Sequence, residues 1–263
     1  MVDIEANLRE VRRRIAEAAE RVGRDPAEIT LVAVTKLRPV EAIERAYELG
    51  VRHFGENRVH EAKEKMPAIQ RWLEERQLPS SSLTWHMVGH LQSRKARDAA
   101  HLFDIVHSVD TLKLARRLDR FCREQGKVMP ILLEVNVSGE ESKYGFRLER
   151  WEEDEEQRGA FFAVVREMLA LPNVRVCGLM TMAPIVPDPE EARPVFRRLR
   201  LLRDALAERF PEADWRHLSM GMTDDFEVAV EEGATMVRIG RAIFGGGGGR
   251  APARGCGGVP HIT

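Results

Sequence analysis

The sequence predicts a single α/β barrel of the (β/α)8 kind with an extra N-terminal helix, and three observations carry that prediction. Short apolar, strand-like runs alternate with amphipathic helical stretches from one end of the chain to the other, the pattern of a parallel α/β fold. The strand-like runs number eight, which closes a barrel where a doubly wound sheet usually stops at fewer. The 263 residues match the roughly 250 that one such barrel needs. One domain is therefore expected over 1–245, followed by a Gly-rich tail over 246–263.

The elements follow in order. An amphipathic helix covers 3–22, and ITLVAVTK at 29–36 is the first strand. Pro39 opens the helix VEAIERAYELG at its first turn, and Gly50 stops it. VRHFGEN (51–57), LTWHMVG (83–89) and DIVHSVD (104–110) are the second, third and fourth strands, with Asp110 expected to cap the helix TLKLARRLDRFCREQG. VMPILLEVNVS is the fifth strand, VRVCGLMTM the sixth, DWRHLSMGM the seventh and TMVRIG the eighth. Between the fifth and sixth strands, WEEDEEQRG (151–159) reads as an acidic, solvated insertion ahead of the helix FFAVVREMLA. The long helix PEEARPVFRRLRLLRDALAERF separates the sixth and seventh strands, and GGGGGRAPARGCGG at the end is low-complexity and expected to be flexible.

Composition removes several functional classes. A net charge of -1 and a pI near 6.7 offer no electrostatic footprint for nucleic acid or an anionic membrane. The opening MVDIEANLREVRRR has no apolar signal core, and no later apolar run approaches the ~18 residues of a membrane span. The three cysteines, Cys122, Cys177 and Cys256, are odd in number and widely spaced, which excludes a disulfide framework and a CxxC metal site. The expected compartment is the reducing cytosol.

In a barrel of this kind the active site lies at the C-terminal ends of the strands. Those ends read Lys36, Asn57, Gly89-His90, Ser108 with Asp110, Asn136, Met180-Thr181, Ser219 and Arg238-Gly240, mostly polar residues closing apolar runs. Lys36 is the most informative: the chain has seven lysines against 34 arginines, and this one directly ends an apolar strand. A rim lysine beside apolar walls is expected to lose solvation, which lowers its pKa and frees the amine as a nucleophile for carbonyls. A lysine merely snorkelling out of the strand end is the alternative.

Such barrels often bind phosphate with the loops after strands seven and eight, here SMGMTDD and RIGRAIFG. Ser219 and Thr223 offer hydroxyls, Gly221 and Gly240 allow close backbone approach, and the turn feeds the helix TDDFEVAVEEG. Simple helix capping by Thr223 or Asp224 explains those two residues equally well. Strand eight closes against strand one, so a phosphate cup would lie beside Lys36. A lysine beside a phosphate cup suits a phosphorylated aldehyde, pyridoxal 5′-phosphate (PLP), held as a Schiff base.

The motifs VAVTK, HFGEN, WHMVGHLQSRK, EVNVSGEESKYGF, GLMTM, LSMGMTDDFEVA and VRIGRAIFG together resemble the YggS/PROSC family of pyridoxal phosphate homeostasis proteins, in family order over roughly residues 4–245. The resemblance implies a PLP fold-type III barrel, similar to the N-terminal domain of alanine racemase but without its second β domain. By motif it implies that Lys36 bears PLP and that Asn57 lies near it. Ser219, Thr223 and Gly240 would hold the phosphate, and Arg238 would face the pyridine nitrogen. It further implies a cytoplasmic monomer that stores PLP and delivers it to apo-enzymes.

The remaining candidates read more blandly. His86 and His90 have a zinc-like spacing, but on a strand it separates them by nearly a strand length, so no metal is expected and His90 reads as a rim residue near the cofactor. Trp85 and Trp215 read as barrel packing; Asn136 either contacts ligand or caps its loop. Two functional classes survive: a PLP carrier without a committed reaction, and a PLP-dependent amino-acid racemase. Racemisation needs a base on each face of the cofactor. Only Tyr47, inside the first barrel helix, and Tyr144, in the loop after strand five, could join Lys36, and only Tyr144 has the reach.

Overall fold

A computed structural model describes residues 2–246. The expected flexible tail, Cys256 included, lies outside the described residues apart from Gly246. Eight parallel strands form a closed barrel: β1 (Thr30–Val34), β2 (His53–Glu56), β3 (Thr84–Met87), β4 (Ile105–Val109), β5 (Met129–Asn136), β7 (Val174–Met180), β8 (His217–Ser219) and β9 (Met236–Ile239). β1 pairs with both β2 and β9, and β4 pairs with β5, so the ring has no free edge. Between β5 and β7 the two-residue β6 (Phe146–Arg147) pairs on β5 outside the ring, too short to leave a sequence pattern.

The helices wrap the outside: α1 (Ile4–Arg21), α2 (Val40–Glu48), α3 (Val59–Glu75), α4 (Ala96–Leu102), α5 (Leu112–Glu124), α6 (Glu155–Leu169), α7 (Arg193–Arg209), α8 (Phe226–Glu231) and α9 (Arg241–Phe244). Asp3 caps α1 by accepting from the Ala6 amide at 2.9 Å, and Leu8, Val11, Ile15, Ala18 and Ala19 form its buried stripe at helical spacing. That stripe packs on α8 and α9 at the opposite end of the chain. Asn7 donates to the Ile243 carbonyl at 2.9 Å, and Arg14 forks onto Glu227 at 2.6 and 3.0 Å.

Period-two alternation divides the strand side chains between two cores. The outer core, between sheet and helices, takes residues such as Ala33, Phe54, Leu118, Leu199 and Phe226. Val32, Val34, Val88, Ile105, Leu132, Cys177, Met180 and Met236 fill the inside of the barrel.

Two sequence expectations fail here. The acidic side chains of 151–159 are solvated as expected, Glu152, Glu153, Glu155 and Glu156 all being exposed, but the segment is not an insertion ahead of a separate helix. Trp151 is buried, Asp154 accepts from the Gln157 amide at 2.9 Å, and Glu155 and Glu156 occupy the first turn of α6. Acidic groups at a helix N-terminus are favoured by the exposed amides there. Nor does Asp110 cap α5; Thr111 does, accepting from the Leu114 amide at 3.2 Å. No helix among the described residues is long and apolar enough to cross a membrane.

A cleft over the C-terminal pole of the barrel

A cleft of about 200 Å³ opens where β1, β2 and β9 end, between the loops after β7 and β8. It brings together Lys36, Asn57, Thr223, Arg238 and Gly240, five of the residues singled out from sequence. The loop Met182–Pro189 supplies a wall that sequence reasoning missed, with Pro184, Ile185 and Val186 facing the space and Ile185 95% exposed. An Ile-Val pair between prolines in a loop was the available signal.

Lys36 is held by what flanks it. Lys65 donates to the carbonyl of Thr35 at 2.7 Å and to Glu56 at 2.9 Å, and the Thr35 hydroxyl donates to the same Glu56 oxygen at 2.6 Å. On the other side, Leu37 adopts φ 58°, rare for a side chain of its size, and its amide donates to Glu61 at 2.8 Å. Burial works to raise the Glu61 carboxyl; the Leu37 amide and the Lys65 ammonium outweigh it, leaving it lowered. Burial raises Glu56, which Thr35 and Lys65 only partly offset. Lys36 itself is exposed and has no hydrogen bond or ion pair among the described residues. The apolar walls expected to enclose this side chain do not do so, because Lys36 stands exposed two residues beyond the end of β1 at Val34.

The floor is Arg238, 5% exposed, whose Nη1 donates to Ser219 Oγ at 2.6 Å and whose Nη2 donates to the Thr181 carbonyl at 2.9 Å. Burial pushes the guanidinium down to about 10, and Asp225 and Glu134 oppose it, so Arg238 is a cation at neutral pH. Ser219, expected in the phosphate cup, is fully buried below Arg238 and its hydroxyl is engaged by that residue and by His107 at 2.8 Å. It does not line the cleft, since the end of β8 turns it into the barrel. Gly221 also lies off the cleft. It has φ 92°, and a Cβ there would stand 2.6 Å from the Ala229 Cβ, so its role is the tight turn onto α8.

Neither Thr223 nor Asp224 caps α8: the N-cap is Asp225, whose Oδ1 accepts from the Met222 amide at 2.6 Å. Thr223 Oγ1 instead meets the Ala242 amide at 3.4 Å, so hydroxyl and α9 backbone lie together beside Gly240. A Cβ on Gly240 would come 3.1 Å from the Val34 carbonyl, and the bare residue leaves that side of the cup open. Gly89 serves Asn57 similarly, since a Cβ there would stand 2.4 Å from the Asn57 carbonyl.

Beneath the cleft runs a chain of imidazoles that the sequence analysis did not find. His53 Nδ1 lies 3.0 Å from His86 Nε2, and His86 Nδ1 lies 2.8 Å from His107 Nε2. His107 Nδ1 then reaches Ser219. Burial holds His86 and His107 well below the usual imidazole range. The signal was parity: His53, His86 and His107 each stand two residues from Gly55, Val88 and Ile105, which face the barrel interior.

His90 sits on the rim, stacked on Tyr144 at 3.6 Å between ring centres, and does not line the cleft. Two carboxylates that are distant in sequence stand beside it. The fold brings His90, Asp110 and Glu134 within 4.8 Å of one another, while His86 points into the barrel. Burial, with Asp110 adding to it, pushes Glu134 up to about 7. Asn136 closes its own loop, accepting from Ser138 and Gly139 at 3.0 Å each. Tyr47 is buried and donates to Ser82 at 2.6 Å, far from the rim.

Comparison with known proteins places this geometry. Residues 6–247 match the family described as alanine racemase, N-terminal domain. The pyridoxal phosphate homeostasis protein of Aquifex aeolicus is 40% identical over 238 residues, covering 90% of this chain and 96% of that one. Its Escherichia coli K12 counterpart is 40% identical over 247 residues, 93% and 97% of the two chains. Among solved structures, PipY of Synechococcus elongatus with PLP bound superposes with a TM-score of 0.72 at 38% identity, over 88% of this chain and all of that one. An alanine racemase of Clostridium difficile, at 14% identity and TM-score 0.63, shares the barrel over 95% of this chain and 57% of its own.

Proposed function

The chain belongs to the pyridoxal phosphate homeostasis protein family, built on the alanine racemase N-terminal barrel, and from that membership we propose that it holds PLP in the cleft on Lys36 and serves intracellular PLP homeostasis. The residues present fit the group. An amine with no hydrogen bond or ion pair among the described residues, a buried cation and an open Gly240–Thr223 cup face one small cleft with the apolar walls Val34, Val88 and Val186. PLP, when bound, supplies an aldehyde carbon that an amine takes up reversibly as a Schiff base.

Each side chain then has a task. The Thr35–Glu56–Lys65 cluster and the Glu61–Leu37 bond hold the backbone on both sides of Lys36, so its amine is presented to the cleft. Thr223 and the backbone of Gly240 would receive the phosphate, the hydroxyl as donor and the bare glycine as space. Arg238 would donate to the ring nitrogen, and a cation there keeps that nitrogen unprotonated. Asn57 stands beside Lys36 on the cleft wall, and His90 stays on the rim beyond it.

The reading is that of a carrier. An arginine at the ring nitrogen weakens the ring as an electron sink, and Tyr144, the one tyrosine with reach, lies flat on His90. The exposure of Lys36 suits transfer of PLP to apo-enzymes. We take the protein to be a cytoplasmic monomer with neither nucleic acid nor membrane among its partners.

The observation that carries the proposal is the placement of Lys36, Arg238 and Gly240 on one cleft. Borohydride reduction of the PLP-loaded protein followed by peptide mapping should place the pyridoxyl group on Lys36. A pyridoxyl group on another lysine, or none, overturns it.

A further inference from the structure

The inside of a (β/α)8 barrel is ordinarily filled by branched apolar side chains. This one buries two imidazoles, a hydroxyl and a guanidinium in its centre. Apolar residues of similar volume would avoid the desolvation that these groups suffer. The cost calls for a use.

The polarity of the chain follows from its upper end. Arg238 has only donors, so Ser219 Oγ accepts from it at 2.6 Å. The Ser219 hydroxyl, fully buried, must place its own hydrogen, and its remaining neighbour among the described residues is His107 Nδ1 at 2.8 Å. His107 therefore accepts at Nδ1 and carries its proton on Nε2, which donates to His86 Nδ1. His86 repeats the arrangement toward His53 Nδ1. The reverse order would leave the Ser219 hydrogen buried without an acceptor. All three imidazoles are thus neutral Nε2–H tautomers, and the chain ends at His53, which lines a hollow with Arg12 and Arg52 where β1 and β2 begin.

Such a chain supports a cation through uncharged groups. The two acceptors bonded to Arg238, Ser219 Oγ and the Thr181 carbonyl, are both uncharged. A carboxylate in place of Ser219 would pair with the guanidinium and compete with any acceptor in the cleft. Neutral imidazoles hold the hydroxyl that holds Arg238, and the carboxylates of Asp225 and Glu134 act on the guanidinium through space without a hydrogen bond to it.

We propose that the His53–His86–His107 chain is a tautomer-locked positioning device that holds Arg238 through uncharged acceptors alone, aimed as a donor at the ring nitrogen of the cofactor, with His107 its decisive member. The proposal rests on the PLP reading for its ligand but not for its tautomers. Long-range proton–nitrogen correlation spectra of the ligand-free protein, labelled with nitrogen-15 in histidine, test the tautomers directly. The expected result is Nε2–H for His53, His86 and His107; an Nδ1–H tautomer or a doubly protonated ring in His86 or His107 overturns the proposal.

The functional half is read by comparing PLP with 1-deaza-PLP, which lacks the ring nitrogen but keeps aldehyde and phosphate. The wild-type protein should prefer PLP by about tenfold or more, the worth of one hydrogen bond to a charged donor. His107→Phe keeps the ring volume but loses both hydrogen bonds, and should cut that preference to within about threefold. His107→Gln, with an acceptor and a donor at opposite ends of its amide, should restore it. Loss of affinity for both ligands in equal measure marks a purely structural residue and overturns the proposal. Failure of the wild-type protein to bind either ligand refutes the PLP reading and leaves the tautomer result standing.

Discussion

Removing the Glu61 carboxylate should loosen the presentation of Lys36 without touching the cleft. Leu37 sits at φ 58°, a conformation that costs a residue with a Cβ about 1–2 kcal/mol. The bond from its amide to Glu61, at 2.8 Å, is charge-assisted and contributes about 1.5–3 kcal/mol. The two nearly balance, so the bond is what keeps the turn. In Glu61→Ala the turn loses its anchor and retains its penalty, and the Lys36-presenting conformer falls to about 3–15% of the population. Apparent affinity falls by the same fraction, about 6- to 30-fold in a spectrophotometric titration with PLP. Adding Leu37→Gly removes the left-handed penalty and should recover most of the loss, a non-additivity that a double-mutant cycle reads as about 1 kcal/mol or more. Binding by Glu61→Ala within about twofold of wild type, or no recovery on adding Leu37→Gly, refutes the reasoning.

Three further outcomes follow from the cleft and its surroundings. Glu134 is pushed up to about 7 by burial and by Asp110, so the folded state binds its proton more tightly than the unfolded state does, and the stability this gives is lost as pH rises through 7. Glu134→Gln should therefore gain about 3 kcal/mol relative to wild type between pH 4 and pH 8 in denaturant titrations, and a pH-independent difference contradicts the assignment. Thr223→Val should weaken PLP about tenfold to a hundredfold while leaving pyridoxal, which has no phosphate, unchanged; equal loss for both ligands would move the phosphate elsewhere. Gly221→Ala meets both a left-handed φ of 92° and the Ala229 Cβ at 2.6 Å, and should lower the unfolding free energy by about 2 kcal/mol or more in thermal or chemical melts.

How much of this was legible in the sequence depended on which physical signal each residue left. The barrel strands were visible because short, mostly apolar runs such as LVAV and VMPILLEV alternate with amphipathic helical stretches along the chain. β6 was not, since two residues carry no period. Lys36, Asn57, Thr223, Arg238 and Gly240 were found because strand ends identify the rim. The end of a strand, however, does not say whether a side chain points up or inward, and Ser219 lies below Arg238 rather than on the cleft lining. Partner identity across strands was equally hidden. Asp110 read as a cap because its own neighbours are helical, whereas its contact with His90 is made through the fold. The imidazole chain was within reach, because counting parity from Val88 and Ile105 puts His86 and His107 inside.

The clasp of α1 over α8 and α9 has a consequence in time rather than space. Residue 7 emerges from the ribosome 236 positions before its hydrogen-bonding partner at 243. At about 5–20 residues per second that interval is roughly 10–50 s. Through all of it the apolar stripe of Leu8, Val11 and Ile15 lacks the surface it will cover. Lys36 waits as well, because Arg238 and Gly240 are made last. The nascent chain thus cannot assemble its cleft early: closure of the ring, burial of the first helix and completion of the site all wait on the last two dozen described residues, and a ribosome stalled before them holds a barrel that is open, sticky and without its cation.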